Sequence, residues 1–318
     1  MTIRVLTGDQ VAGLLPMDQA IQLMRQGFGA LSSRRAVMPL RARVDMECGD
    51  AHLMPASMDG TGLCVKIVTT YPRNRELSLP VVQGLLLVFD PQTGAPRALM
   101  DCRRLTAIRT GAGGGLAVDL LSRPDSRVLG LIGAGVQSQM QLRAALCVRP
   151  LDHVVVYDSF PANAHALQRQ LAAEEQTPAI EVAESVAEVV RQADILITAT
   201  TSRTPTFDGR TVRPGTHINA IGVYMPDRRE LDEHAVSRAY VVVDCRRSAE
   251  HEAGDLILAG REPDAELGEV VNGTAAGRKD DQQITLFKSV GVAVQDAVAA
   301  NWVLNQAEQR GIGVEIDL

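Results

Sequence analysis

Apolar and polar positions follow two different rhythms along this chain. Near the start, Thr7-Gly8-Asp9-Gln10 reads as a capping box ahead of an apolar segment, Val11 to Leu15. A second helix over about Met17 to Leu31 is amphipathic through Ile21, Met24 and Phe28. The texture then changes to extended runs: Arg41 to Met46, Ala51 to Ala56, Leu63 to Thr70, Val82 to Phe89 and Pro96 to Asp101. Turn residues separate them, and Asp90-Pro91-Gln92-Thr93-Gly94 has the composition of a hairpin turn. The first part of the chain therefore predicts an α+β domain with mostly antiparallel strands.

Arg104 to Leu121 reads as a helix rich in Ala and Gly. Gly111, Gly113, Gly114 and Gly115 would weaken a free helix, so they point to close packing against a neighbour. From Arg127 onward, strands and helices alternate. Val128 to Ile132 is followed by strand-like runs at His153–Tyr157, Ala179–Ala183, Asp194–Ala199, His217–Gly222 and Ala239–Asp244, with helical segments between most of them. That alternation predicts a doubly wound parallel sheet of the Rossmann kind. A last helix, about Val292 to Arg310, follows Ser289-Val290-Gly291 and is expected to return to the first domain. The expected architecture is α/β: a Rossmann domain over 118–291, and a discontinuous α+β domain over 1–117 and 292–318.

The turn at Gly133-Ala134-Gly135 carries the first chemistry. An apolar strand precedes it and a helix opens at once with Val136, Gln137 and Ser138. Glycines let backbone approach a pyrophosphate, and the helix N-terminus offers N–H groups to the anion. The third small position holds Ser138, where Gly or Ala is usual. The second strand ends in Asp158, about 25 residues after Gly133, the position of the acid that bonds adenosine ribose hydroxyls. An acid there repels a 2′-phosphate, which favours NAD(H) over NADP(H). The competing reading of Asp158 is a turn or helix-capping residue. Thr198-Ala199-Thr200-Thr201-Ser202 ends a further strand where cofactors lie in such sheets, or is simply the polar start of a loop.

Composition removes several classes of function. Aromatics are 3% of the 318 residues, which argues against stacking platforms for single-stranded nucleic acid. A net charge of −6 argues against a broad phosphate-binding surface. No apolar run reaches membrane-spanning length, and no signal-peptide pattern opens the chain. Cys48, Cys64, Cys102, Cys147 and Cys245 are scattered singly, read as reduced thiols of a cytoplasmic protein, and suggest no metal. The acidic pairs Glu174-Glu175 and Asp280-Asp281 look like solvated faces.

Lysine is rare: of 32 basic residues, only Lys66, Lys279 and Lys288 are not Arg. Lys66 stands alone as a charge inside Gly62-Leu63-Cys64-Val65-Lys66-Ile67-Val68. Burial would lower its pKa and suit it to proton chemistry on a substrate, whereas on an edge strand it would face solvent. Arg41 and Arg109 are candidates to clamp a carboxylate by paired hydrogen bonds, although either alone reads as well as a surface arginine.

Pro39-Leu40-Arg41, Met54-Pro55-Ala56, Val65-Lys66-Ile67-Val68, Leu105-Thr106-Ala107-Ile108-Arg109-Thr110, Gly133-Ala134-Gly135-Val136-Gln137-Ser138, Thr198-Ala199-Thr200, Gly215 to Gly222, Arg229-Glu230-Leu231 and Phe287-Lys288-Ser289-Val290-Gly291 run in one order over nearly the whole chain. Together they resemble the ornithine cyclodeaminase/μ-crystallin family. The resemblance implies a homodimer paired through β-structure of the N-terminal domains, which serve both substrate binding and dimerisation, and an active site between the domains. It implies that Lys66, Arg41 and Arg109 hold the carboxylate and the amine or imine region of the substrate, that Thr200 lies on the cofactor, and that Ser289 and Gly291 lie near the nicotinamide. Cyclodeaminases of the family carry an Asp after the strand that here ends Ile221-Gly222, and this chain has Tyr224 at that place. A phenol has an ordinary pKa near 10 and is a poor base at neutral pH, but it can donate a proton. The expectation is therefore an NAD(H)-dependent ketimine reductase or alanine-dehydrogenase-like enzyme acting on a small imino or amino acid. An ornithine-type cyclodeaminase and a non-enzymatic cofactor binder are the alternatives.

Overall fold

The computed structural model describes residues 2–172 and 177–317; the Glu174-Glu175 pair lies outside the described residues. The chain forms β1 (Thr2–Leu6), α1 (Gly8–Leu14), α2 (Met17–Ser32), β2 (Ala36–Val37), β3 (Ala42–Met46), β4 (Gly49–Met58), β5 (Cys64–Thr70), β6 (Val82–Phe89), β7 (Pro96–Asp101) and α3 (Cys102–Leu121). It continues with β8 (Val128–Ile132), α4 (Val136–Val148), β9 (His153–Tyr157), α5 (Pro161–Leu171), β10 (Ala179–Val182), α6 (Val186–Gln192), β11 (Ile195–Thr198), β12 (His217–Ala220), α7 (Glu233–Arg238) and β13 (Ala239–Val243). The remainder is α8 (Arg246–Glu252), α9 (Gly254–Ile257), β14 (Ala265–Glu266), α10 (Leu267–Val271), β15 (Ile284–Lys288), α11 (Ala293–Arg310) and β16 (Val314–Asp317). Two compact units result. One comprises Met1–Arg109 with Val292–Leu318, the other Thr110–Gly291.

The first unit is built on a sheet of order β16-β1-β7-β6-β5-β4-β2, with β3 beside β4. Pairing is antiparallel except between β1 and β7. Alternation decides its faces: Cys64 and Lys66 of β5, Met54 and Ala56 of β4, and Leu86 and Val88 of β6 are buried on one side. Helix α11 packs on that side against β4, β5 and β6, and α2 packs on α11. The opposite side leaves Ile67 and Leu85 exposed. α1 starts with the expected capping box, Thr7 with Gln10. α11 stops at Gly311, whose φ of +63° closes the helix in the left-handed region.

The second unit holds a fully parallel sheet of order β10-β9-β8-β11-β12-β15-β13-β14. The strand sequence reverses direction between β8 and β11, so the carboxyl ends of those strands border the crevice where such folds take ligands. Five strands lie outside the set expected from the sequence: β1, β2, β14, β15 and β16. β15 is a fully buried central strand, and its short apolar run, Ile284 to Lys288, sits directly after a polar loop. His217 is buried with its ring nitrogens 2.9 Å from Thr285 Oγ1 and Asn219 Oδ1. Burial lowers its pKa to about 3, so it is a neutral structural group.

Two of the glycines of α3 do pack closely. A Cβ on Gly111 would lie 2.7 Å from the carbonyl oxygen of Met140, and one on Gly114 would fall on the Gln141 side chain, both residues of α4. Backbone cannot yield as a side-chain tip can, so Gly111→Ala is expected to destabilise the protein by about 1–3 kcal/mol. Urea unfolding measures this, and an unchanged midpoint would show that α3 can shift away from α4 without cost.

Candidate active site

In the second unit the strand ends assemble a candidate cradle for a dinucleotide. Gly133 leaves β8 with φ of +96°, and a Cβ there would lie 2.6 Å from the Ala199 carbonyl oxygen. Only glycine meets both conditions. Gly135 is the N-cap of α4 and provides no side-chain cap, and a Cβ on it would meet nothing within 4 Å. The first-turn N–H groups at Val136, Gln137 and Ser138 thus stand at a helix end suited to a pyrophosphate. Ser138 is buried and its Oγ donates to the Gly133 carbonyl at 2.6 Å, bracing the turn where Gly or Ala is usual.

Asp158 directly follows β9 and ties this loop to the next. Its Oδ2 accepts from the Ala134 N–H at 2.8 Å, and its Oδ1 accepts from the Phe160 N–H at 2.9 Å. It is therefore a turn residue and also a carboxylate fixed against the Gly-Ala-Gly loop. Uncapped helix, glycine turn and fixed acid together fit an adenine dinucleotide with free ribose hydroxyls.

Further along the same sheet edge, the buried Oγ1 of Thr198 has no hydrogen-bond partner. Glu230 is buried and holds two loops at once. Its Oε1 accepts from Thr200 N at 2.7 Å and Thr200 Oγ1 at 2.8 Å, and its Oε2 accepts from Gly222 N at 2.8 Å. Burial raises the Glu230 carboxyl, and Lys288 opposes that rise. Asp255 Oδ1 accepts from the N–H groups of Glu230 and Leu231. Its Oδ2 lies 2.6 Å from Lys288 Nζ, which also donates to the Val223 carbonyl at 2.6 Å. Tyr224 follows, half-buried against the core of this unit. Ser289 Oγ, Val290 N and Gly291 N all donate to Asp244 Oδ2. That carboxylate fixes the turn in which Gly291 has φ of +76°.

In the first unit, Lys66 is no edge-strand lysine. It lies in the centre of β5, between β4 and β6, and is 1% exposed. Its Nζ is 2.7 Å from Asp296 Oδ2. Arg109, also buried, places Nε 3.0 Å from Asp296 Oδ1 and donates from Nη1 to Gln295 Oε1 at 2.7 Å. Gln295 and Asp296 stand in the first turn of α11, where a negative charge is favoured. Burial, and then the Arg109 charge, lower the Lys66 pKa to about 8, while Asp296 pulls the other way.

Arg41 stands one residue before β3. Ala42 pairs with Leu53 and Met54 pairs with Lys66, so continuing the register brings Arg41 level with Lys66, two strands away. Burial and the Arg41 charge hold His52 below its ordinary range, hence neutral. Burial raises Cys102 to about 11 and pushes Cys64 higher still, so neither is a thiolate nucleophile.

Lys66 and Arg109 are thus brought together by a residue not singled out in the sequence, Asp296, and Arg41 shares their unit. Gly133 to Ser138, Asp158, Thr198, Thr200, Tyr224, Ser289 and Gly291 belong to the other unit. Glu230 and Lys288 lie inside stretches that carry the family resemblance, but their type and spacing alone suggested no role. Among the described residues no group of three or more His, Cys, Asp or Glu is placed to hold a metal, and no helix is long and apolar enough to cross a membrane.

The chain belongs to the ornithine cyclodeaminase/mu-crystallin family, whose model matches residues 2–311. It is 34% identical to a Delta(1)-pyrroline-2-carboxylate reductase of Bacillus cereus, over 98% of this chain and 99% of that one. A solved Delta(1)-pyrroline-2-carboxylate reductase of Thermococcus litoralis, in complex with NADH and L-proline, superposes with a TM-score of 0.95 at 38% identity, covering 99% of this chain and all of the other. An archaeal alanine dehydrogenase dimer with bound NAD also gives a TM-score of 0.95, at 34% identity over 100% of both chains.

Glu230→Ala strips a buried acceptor from three donors and leaves Lys288 and Asp255 with a changed balance. A loss of about 2–4 kcal/mol in unfolding free energy is expected. Chemical denaturation checks it, and a loss below ~0.5 kcal/mol would mean that water replaces the carboxylate without penalty.

Proposed function

We propose that this protein is an NAD(H)-dependent imine reductase that converts a small α-imino acid into the L-amino acid. A five-membered cyclic ketimine carboxylate is the first candidate, and iminosuccinate and the imine of pyruvate follow. The observation that carries this reading is the buried Lys66–Asp296–Arg109 cluster, in a chain whose full-length relatives include a pyrroline-2-carboxylate reductase and an alanine dehydrogenase. Burying two cations against one aspartate is costly unless a further anion balances them, and an imino acid presents one carboxylate.

Arg41 and Arg109 orient that carboxylate by charge-assisted hydrogen bonds. Lys66 bonds the carboxylate or the imine nitrogen and keeps the C=N bond polarised. Gly133 to Ser138, Asp158, Thr198, Thr200, Ser289 and Gly291 hold the dinucleotide, which supplies a hydride to the imine carbon when bound. The nitrogen takes its proton from Tyr224 or from water. Asp158 favours NAD(H), since its fixed carboxylate repels a 2′-phosphate and no Lys or Arg lies between Asp158 and Gln168 to offset it. Tyr224, in place of an acid, supports reduction rather than cyclodeamination.

The working form is a homodimer. The uncovered face of the first unit carries a hollow of about 590 Å³ in which Ile67, Pro80, Leu85, Leu87 and Leu99 stand among Thr69, Gln83, Asp101 and Arg103, a mostly apolar surface suited to a second copy. Leu85→Asp is expected to yield monomers in sedimentation velocity; a dimer that survives it would move the interface elsewhere.

The direct test is NADH oxidation with Δ1-pyrroline-2-carboxylate, and with pyruvate, glyoxylate or oxaloacetate, each with and without ammonium. Oxidation that requires the imine is expected, with NADH preferred to NADPH. Ammonia release from ornithine without such oxidation would instead make the protein a cyclodeaminase. Lys66 is cationic below about pH 8 and neutral above it. Reduction should hold at lower pH and fall as pH rises through that value; a profile flat to pH 10 would remove Lys66 from the reaction.

A further inference from the structure

Asp296 touches both buried cations of the first unit, yet the proposed reduction gives it no task. We propose that Asp296 is the positioning residue of this site: its two oxygens hold the Lys66 ammonium and the Arg109 guanidinium side by side and leave the buried group one positive charge in excess, which a single substrate carboxylate completes. The completion by substrate rests on the imino-acid reading; the clamp itself stands on the geometry of one unit.

Both contacts are short, 2.7 Å to Lys66 and 3.0 Å to Arg109, and all three side chains are buried. The charges are +1, +1 and −1, a net +1. Without the carboxylate, two like charges would share a nearly dry site, and the ammonium would give up its proton first. The two contacts also differ in kind. Arg109 Nε donates a hydrogen bond to Oδ1, which fixes the guanidinium plane, and Nη1 is spent on Gln295. Lys66 meets the other oxygen, Oδ2, at 2.7 Å with an ammonium whose N–H donors turn freely about the Cε–Nζ bond. Asp296 therefore stabilises the charge of Lys66 through one oxygen, and an ammonium with three donors keeps the others for a further acceptor.

The groups that act on Lys66 are few. Asp296 comes from α11, Arg109 and Cys102 from α3, His52 from β4, and Cys64 from β5 itself. β6 carries no titratable side chain. His52 is neutral and both cysteines are thiols, so among the buried groups Asp296 and Arg109 set the charge balance, while Arg41, level with Lys66 two strands away, is only partly buried.

The chain's three lysines make the test direct, because protein labelled at lysine Cε and Nζ gives three sets of signals to titrate by NMR. In Asp296→Asn the Lys66 midpoint is expected to fall by about one unit or more, with Lys279 and Lys288 unmoved. An unchanged Lys66 midpoint would overturn the proposal. Should the Asn variant not fold, Asp296→Glu serves instead. It keeps the charge but displaces both contacts, so the midpoint should stay near the wild-type value while kcat/KM falls by tenfold or more. Unaltered kcat/KM would again overturn it. In the wild type, L-proline with NADH should raise the Lys66 midpoint, and no response would remove the charge completion by substrate. A substrate panel without turnover, alongside a shifted midpoint in Asp296→Asn, would sink the imino-acid reading and leave the clamp standing.

Discussion

An ammonium group buried in the middle of a β-sheet sets the terms for the first unit. Taking such a charge out of water costs on the order of several kcal/mol, and burial alone would drive the proton off. Asp296 offsets that cost, and it can do so only because α11 lies across β4, β5 and β6. The discontinuity of the unit follows from the same need. The helix that supplies the counter-ion comes from the far end of the chain, with the whole second unit inserted before it.

The second unit applies a related device to its loops. Asp158, Glu230, Asp244 and Asp255 each accept backbone N–H groups at or near the carboxyl ends of the parallel strands. A carboxylate in that position does two things. It satisfies donors that irregular backbone would otherwise leave unpaired, and it fixes one loop conformation before any ligand arrives. Binding then need not order those loops, so less affinity is lost to entropy. Lys288 extends the device, linking Asp255 to the Val223 carbonyl beside Tyr224.

What was legible in the sequence was local. The capping box at Thr7, the run of β8, the Gly-Ala-Gly turn and the acid at Asp158 are each written within a few residues, and short-range rules read them. That α3 packs closely on some neighbour was legible too, because glycines inside a helix cost stability unless a neighbour needs the room, but not that the neighbour is α4. Less legible were elements defined by distant partners. β1 pairs with β7 and β16, and nothing in Thr2 to Leu6 announces either neighbour. β15 is too short for periodicity to separate it from a loop. Asp296 and Glu230 were the hardest. An acid in the first turn of an Ala- and Val-rich helix looks like a solvated face residue until the sheet beneath it is known. Glu230, in a polar loop beside Arg228 and Arg229, looks like surface.

The pairing of Lys66 with Asp296 also has an order in time. On the ribosome, 230 residues separate the two, so at about 5–20 residues per second roughly 10 to 50 seconds pass between their syntheses. Throughout that interval the central strand of the first sheet carries a charge that has no counter-ion and a face that has no helix. The inserted unit, complete by Gly291, is free to fold in the meantime. Vectorial synthesis therefore favours a nascent chain in which the Rossmann unit forms first and the sheet ahead of it closes last, when α11 emerges.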